Sequence, residues 1–203
     1  GLSATALVIG AALPVAAQTN RAAAPVVATA ANPSAAFTYR DMIGLNRLSD
    51  PQVSPDGKSV VYAVTATDVG ANRRTTSLWI RSLEGDAAPR RLAISDGGAN
   101  TARWSADGKL YFLSGRSGSS QVWVADAEGD NPVQVTSLPL DVNAYRLSDQ
   151  GDRLAVSLAV YPEAPDLAAS AARTAAEAER KSTGQVYDRM FVRHWDTWSD
   201  HTQ

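Results

Sequence analysis

The chain contains only two histidines, His194 and His201, and both lie close to Gln203. Asp196 and Asp200 accompany them, so this segment holds imidazole and carboxylate groups of the kind that bind metal ions. Their spacing matches no metal-binding signature, and we assign no metal ligand and no cofactor. A Ser-His-Asp triad also needs a histidine that a carboxylate orients, and only these two histidines could serve in that role.

A serine nucleophile is the second kind of chemistry to consider. In α/β-hydrolases the serine lies in a G-x-S-x-G elbow between a strand and a helix, and the sequence contains no such motif. The nearest approach is Gly115-Arg116-Ser117-Gly118-Ser119, which ends in serine and which we predict to lie in a hairpin turn. The absence of cysteine excludes a thiol nucleophile. We therefore name no catalytic residue and predict that this chain is inactive alone.

Aromatic side chains near the two histidines could bind a ligand. Arg193, Trp195 and Trp198 either line a substrate path or pack an inserted segment against the rest of the fold, and we favour packing. The other tryptophans lie in predicted strands and are expected in the core: Trp79, Trp104 and Trp123.

A repeated pattern organises the chain after the N-terminal region. Three segments combine a serine, a turn that ends in glycine and an apolar run, and their serines are Ser54, Ser105 and Ser148. A tryptophan strand followed by Glu-Gly-Asp occurs twice, at Trp79 and Trp123. The distances along the sequence between the repeated serines and between the two tryptophans give the same period of about 43 residues. They agree when a seven-residue insertion is placed in the polar stretch 67–75.

Turn chemistry explains why these segments form hairpins. Pro55 fixes φ at the first corner of a turn, and Gly57 tolerates the positive φ that the turn requires. The flanking runs are rich in residues that suit strands, and the Glu-Gly-Asp turn adds a second hairpin to each unit. Four antiparallel strands at this period predict a β-propeller blade.

We thus predict an all-β fold, an incomplete β-propeller of two full four-stranded blades and part of a third. Blade 1 comprises residues 37–95, blade 2 residues 96–140 and the partial blade 3 residues 141–203. Because propellers close with typically 4–8 blades, this chain is expected to be a fragment whose ring is open.

An alanine-rich helical insertion, residues 162–184, interrupts the third blade. Asp166 is a suitable N-cap, the residues from Leu167 to Lys181 favour a helix, and Gly184 can end it. Glu177 lies four residues before Lys181, so the two can form an ion pair on an exposed face.

The N-terminal region has the composition of an export signal. Residues 1–17 are apolar and end in a small-residue cleavage pattern, typical of a signal peptide truncated at its start, and residues 18–36 form an Ala-Pro-Val-rich linker. We therefore expect a periplasmic or secreted protein that does not bind the membrane once the signal is removed. A net charge of −2 argues against nucleic-acid binding.

Two motifs carry a family resemblance. Trp104–Lys109, Ser114–Gly118 and the strand at Val122–Val124 resemble the TolB-type propeller repeat. Residues 186–200, with the block R-H-W-D-T-W at 193–198, resemble the propeller part of bacterial members of the prolyl oligopeptidase family, the dipeptidyl aminopeptidases and acylaminoacyl-peptidases. The resemblance covers about residues 38–200.

This resemblance implies the N-terminal propeller of an exported serine peptidase that hydrolyses short peptides. The triad would lie in a C-terminal α/β-hydrolase domain missing here, and the propeller would act as an access gate. The implied partners are a peptide substrate, that hydrolase domain and a further copy of the chain in a homo-oligomer. Some relatives bind the substrate's amino end through glutamates on a propeller helix. The spacing here matches no such pair, so we assign this role to none of the candidates: Glu163, Glu177 and Glu179.

The alternative is a non-catalytic TolB-like periplasmic binding propeller. It explains the blades and the signal segment, but it gives no reason for the insertion at residues 162–200 or its R-H-W-D-T-W block.

Overall fold

The computed structural model describes residues 36–182, 184, 186–187 and 192–203. The predicted signal peptide, 1–17, and almost all of the predicted linker, 18–36, lie outside these residues. Within the described part of the chain, no helix is long and apolar enough to cross a membrane.

The first sheet is a four-stranded antiparallel meander in chain order. Its strands are β1 (Arg47–Val53), β2 (Ser59–Asp68), β3 (Arg73–Ser82) and β4 (Arg90–Arg91). A short helix that we did not predict, α1 (Tyr39–Gly44), precedes it. The helix begins with a capping box, because Thr38 and Asp41 bond each other's backbone N–H groups. The Thr-x-x-Asp spacing was the signal for it in the sequence.

The second sheet repeats the same order and follows a 3₁₀ turn at Ala93–Gly97. Its strands are β5 (Asn100–Trp104), β6 (Leu110–Ser114), β7 (Gln121–Ala125) and β8 (Val133–Gln134). A third sheet contains the hairpin of β9 (Val142–Leu147) and β10 (Leu154–Leu158). The last elements are α2 (Leu167–Ala178) and the short strands β11 (Arg193–His194) and β12 (Thr197–Trp198).

The insertion predicted in the first unit lengthens a hairpin. Strands β2 and β3 each have ten residues, whereas β6 and β7 have five. The two long strands pair without interruption from Ser59 opposite Ser82 to Asp68 opposite Arg73. The polar stretch 67–75 therefore forms the far end of this hairpin rather than disturbing its register.

The repeated serine turns share one set of hydrogen bonds. In each turn the serine hydroxyl donates to an aspartate: Ser54 to Asp56, Ser105 to Asp107 and Ser148 to Asp152. The same hydroxyl accepts a backbone N–H at or just before the start of the next strand, as Ser105 does from Lys109. Hydrogen bonds from the Lys109 ammonium group and the Ser105 hydroxyl lower the pKa of Asp107 to about 2. Gly108 follows at φ 77°, where glycine is favoured.

Successive sheets stack on one another through apolar faces. The face of the first sheet that carries Val61 and Leu78 packs against the face of the second that carries Leu110 and Phe112. The opposite face of the second sheet packs against Tyr145 and its neighbours in the third. The first strands of consecutive sheets also contact each other, because the Trp104 indole donates to Gln52 O and the Tyr145 hydroxyl to Thr101 O.

These sheets confirm the prediction of a mostly β fold with a helical insertion. The number of blades and the incompleteness of the ring stay predictions. Trp104 and Trp123 pack against the first apolar cluster as expected. The prediction was wrong for Trp79, which lies outside that cluster. Leu78 and Ile80 face the cluster, so strand alternation turns Trp79 to the other face of the first sheet.

Candidate functional site

The inserted segment leaves the third sheet and returns to it at one point. Val160 N–H donates to Gln203 O, and Gln203 N–H donates to Val160 O, both at 2.9 Å. This pair of bonds places Gln203 beside the chain that continues from β10. The chain thus leaves the edge of that sheet after Val160 and returns to it at Gln203.

Helix α2 begins where the sequence predicts and ends earlier. Asp166 caps it by accepting the Ala169 N–H at 2.7 Å. The helix ends at Ala178 instead of Lys181, and Glu179 at its C-cap donates to Ala175 O and Glu177 O. The predicted pair between Glu177 and Lys181 is corrected accordingly: Glu177 pairs with Arg180, because the chain leaves the helix before Lys181 comes alongside.

The start of α2 packs on the chain that leads into it. Ser170 is buried and accepts the Tyr161 backbone N–H at 3.2 Å. The Arg173 guanidinium lies 4.0 Å from the centre of the Tyr161 ring and forms a long ion pair, 3.5 Å, with Glu163. Glu163 is therefore a surface residue that forms an ion pair with the helix.

The R-H-W-D-T-W block forms a tight hairpin, which we call the aromatic hairpin (residues 193–198). Arg193 pairs with Trp198 and His194 with Thr197, so Trp195 and Asp196 form the turn. The Arg193 side chain holds this turn, since its Nε donates to Trp195 O and its guanidinium lies 5.5 Å from the Trp198 ring centre.

A second layer of rings supports the hairpin from one side. The Tyr187 ring stacks on Trp198 with centroids 6.2 Å apart and lies 5.6 Å from the His201 ring. The Tyr187 hydroxyl donates to Ser199 O at 2.9 Å. Residues 188–191 of the predicted block lie outside the described residues.

The tip of the aromatic hairpin projects from the fold. Trp195 is 85% exposed and Trp198 is 58% exposed. The favoured prediction, that these rings pack the insertion against the blades, is therefore wrong for Trp195. The Trp195 ring belongs to neither apolar cluster.

A cleft of about 640 Å³ lies along the hairpin and the residues after it. Trp195 and Trp198 line it, together with the carboxylates Asp196 and Asp200. Hydrogen bonds from the Thr202 hydroxyl and backbone N–H lower the pKa of Asp200, so this carboxylate is ionised at neutral pH. Although two histidines lie nearby, the described residues contain no group of three His, Asp or Glu side chains placed to hold a metal ion.

The elbow-like segment Gly115–Ser119 lies in the turn between β6 and β7, as predicted. Arg116 fixes this turn: its Nη2 donates to Ile94 O at 2.6 Å and its Nε to Ser114 Oγ at 2.8 Å. Its guanidinium is 5.1 Å from the ring centres of both Phe112 and Trp123. Burial lowers the pKa of Arg116. The segment therefore has a structural role between neighbouring sheets.

Gln121, which the sequence did not single out, is the most connected buried polar side chain of the second sheet. It is 1% exposed and bonds the connection that leads to the third sheet. Its Nε2 donates to Leu138 O and Leu140 O, and its Oε1 accepts from Leu138 N and Thr136 Oγ1.

No family model matches the chain. Among curated proteins, it is similar to dipeptidyl-peptidase 5 of Porphyromonas endodontalis, with 29% identity over 168 residues. The match covers 81% of this chain and 23% of that protein. The chain thus spans less than a quarter of the length of this relative.

Solved structures are also similar to the chain, at low identity. Acylaminoacyl peptidase of Pyrococcus horikoshii aligns over 62% of this chain and 19% of its own, with 22% identity and a TM-score of 0.49. The β-propeller domain of the trilobed protease of Pyrococcus furiosus aligns over 57% and 34%, with 21% identity and a TM-score of 0.42. The curated relatives are peptidases by name, so the predicted resemblance to peptidases is confirmed.

Proposed function

We propose that this chain is the N-terminal propeller part of an exported serine peptidase of the prolyl oligopeptidase family, which hydrolyses short peptides. The observation that carries the proposal is the similarity to a dipeptidyl-peptidase over 81% of the chain. The two four-stranded sheets and the aromatic hairpin also agree with this proposal.

In this proposal the hydrolysis takes place in a domain that follows Gln203. A peptide bond is attacked by a serine that a histidine deprotonates, and an acyl-enzyme forms and is hydrolysed. The propeller contributes by limiting access to that serine. We assign this gate to the insertion, because its aromatic hairpin (residues 193–198) carries exposed rings.

Export is the second part of the proposal and rests on the apolar leader at 1–17.

A non-catalytic binding propeller is the second candidate. The resemblance of Trp104–Lys109 and Ser114–Gly118 to the TolB-type propeller repeat supports it. It leaves the similarity to a dipeptidyl-peptidase without a functional reason.

We expect the purified 203-residue chain to hydrolyse neither aminoacyl nor dipeptidyl chromogenic substrates, because its sequence contains no G-x-S-x-G elbow to activate a serine. Initial rates would be measured with and without a serine-reactive inhibitor. The matched variant is Ser117→Ala, which removes the serine of the elbow-like turn. Hydrolysis that the inhibitor abolishes, above all if Ser117→Ala also abolishes it, would contradict the prediction.

A further inference from the structure

The outer edge of β10 is open in the part of the chain that the structure describes. The third sheet contains two strands, whereas the first two sheets contain four each. Val160, just after β10, exchanges two backbone hydrogen bonds with Gln203, so its N–H and C=O groups point away from β9. Because peptide groups alternate in direction along a strand, those of Leu154, Val156 and Leu158 point to the same edge. No described strand pairs with them there.

The bonds between Val160 and Gln203 fix the register of a strand that continues along this edge. Two antiparallel residues that exchange both hydrogen bonds lie directly opposite each other. Each step beyond Gln203 is therefore matched by one step back from Val160. The second residue after Gln203 lies opposite Leu158 in this register, and the fourth lies opposite Val156.

The first two sheets indicate which side chain belongs opposite Val156. Tyr62 lies opposite Trp79 in the first sheet, and Phe112 lies opposite Trp123 in the second. Val156 occupies the corresponding position in the third sheet. All three residues lie two positions after the residue of their strand that pairs with the end of the preceding strand. The repeat therefore favours an aromatic side chain beside Val156.

The exposure of Val156 agrees with this interpretation. Val156 is 36% exposed, although Leu154 and Leu158 on the same face pack against the apolar cluster between the second and third sheets. Phe112, its counterpart, is 0% exposed and has Trp123 beside it on the next strand. A large apolar side chain on a neighbouring strand would cover Val156 in the same way.

We propose that the open edge of β10 is the docking site for a strand that continues from Gln203, antiparallel to β10 and in the register described above. The proposal rests on the proposed function only in that the protein continues beyond Gln203. The docked strand corresponds to β3 and β7. The third to fifth residues after Gln203 are therefore apolar, like Leu78–Ile80 and Val122–Val124, and the middle one is aromatic.

A docked strand anchors the insertion at both ends. Strand β10 leads into the insertion and the docked strand leads out of it, so two paired strands hold its ends. The insertion then replaces the turn that joins β6 to β7 in the second sheet and the turn that joins β2 to β3 in the first. In the proposed gate, these two turns are the connections that correspond to the insertion.

Extension of the 203-residue chain tests the docking directly. A copy of Ser120–Ala125, from the corresponding strand of the second sheet, is added after Gln203, which brings the copied tryptophan opposite Val156. The matched control has proline at the second and fourth added positions, so it lacks the N–H donors to Leu158 O and Val156 O. Amide hydrogen exchange is followed by NMR. We expect roughly tenfold slower exchange at Val156 and Leu158 in the extended chain than in the control.

Ala155 provides an internal reference, because its N–H pairs within the β9–β10 hairpin and should change much less. Equal exchange at Val156 in the two extended chains would overturn the proposal. Protection of Val156 that rises with concentration in the 203-residue chain would also overturn it, since a second copy would then occupy the edge.

The natural coding sequence gives an independent check. Three apolar residues with an aromatic one in the middle are expected at the third to fifth positions after Gln203. Proline, glycine or a charged residue at the fourth position would contradict the docked strand. This result is separate from the test of the proposed function, because the elbow motif of a peptidase is read much further along the chain.

Discussion

Replacement of Gln121 by leucine should lower the free energy of unfolding by about 3–5 kcal/mol. The side chain is buried and serves as donor to Leu138 O and Leu140 O, each at 3.1 Å. Leucine has a similar volume but bonds neither carbonyl, and it also leaves the Leu138 N–H without its acceptor. Each buried polar group that loses its partner costs about 1–3 kcal/mol.

Urea unfolding followed by circular dichroism would measure this loss. Gln134→Leu is the matched control, because Gln134 lies in the same sheet but is exposed and donates only to Thr136 O. It should change the free energy of unfolding by no more than about 0.5 kcal/mol. Equal losses in the two variants would show that Gln121 does not anchor the connection between the second and third sheets.

Arg116→Ala is the second substitution with a large expected effect, a loss of about 2–4 kcal/mol in the free energy of unfolding. The guanidinium links the turn after β6 to Ile94 O in the connection that precedes β5, and it contacts the rings of Phe112 and Trp123. Arg116→Lys should recover only part of the loss, because an ammonium group cannot form the forked contacts of a guanidinium.

Gly97 provides an internal test of this arrangement. A Cβ at Gly97 would lie 2.9 Å from Cζ of Arg116, so alanine there must displace the guanidinium. Gly97→Ala should therefore destabilise the chain clearly when Arg116 is present and much less in the Arg116→Ala background. A double-mutant cycle by urea unfolding would measure this coupling. Strictly additive effects would contradict the contact between the two residues.

Local chemistry explains which features could be predicted from the sequence. The turn at Gly108 follows from residues within five positions of one another, and the cap at Asp166 from one hydrogen bond to a residue three positions away. The period of the repeat depends only on such turns. The 67–75 insertion could be located because it shifts that period by seven residues.

Features that depend on distant contacts were not predictable in the same way. Gln121 bonds carbonyls 17 and 19 residues away, and Arg116 bonds one 22 residues away. Contacts between residues so far apart along the chain produce no recognisable local sequence pattern. The side of the sheet on which Trp79 lies follows from packing between sheets, which selected Leu78 instead.

At the candidate site, the sequence singled out the R-H-W-D-T-W block but did not predict its exposure. The residues of the R-H-W-D-T-W block suit a hairpin, but they do not predict that Trp195 lies in the turn at a positive φ with its ring exposed. The alternating pattern of a half-buried strand is too short here to distinguish a packed ring from a free one.

The most direct test of the central claim is to read the natural coding sequence beyond the codon for Gln203. If this chain is the propeller part of a serine peptidase, further strands and then an α/β-hydrolase domain follow, with a G-x-S-x-G elbow and an Asp and a His later in the chain. A stop codon after a few more blades, with no elbow, would contradict the account and favour the non-catalytic binding propeller.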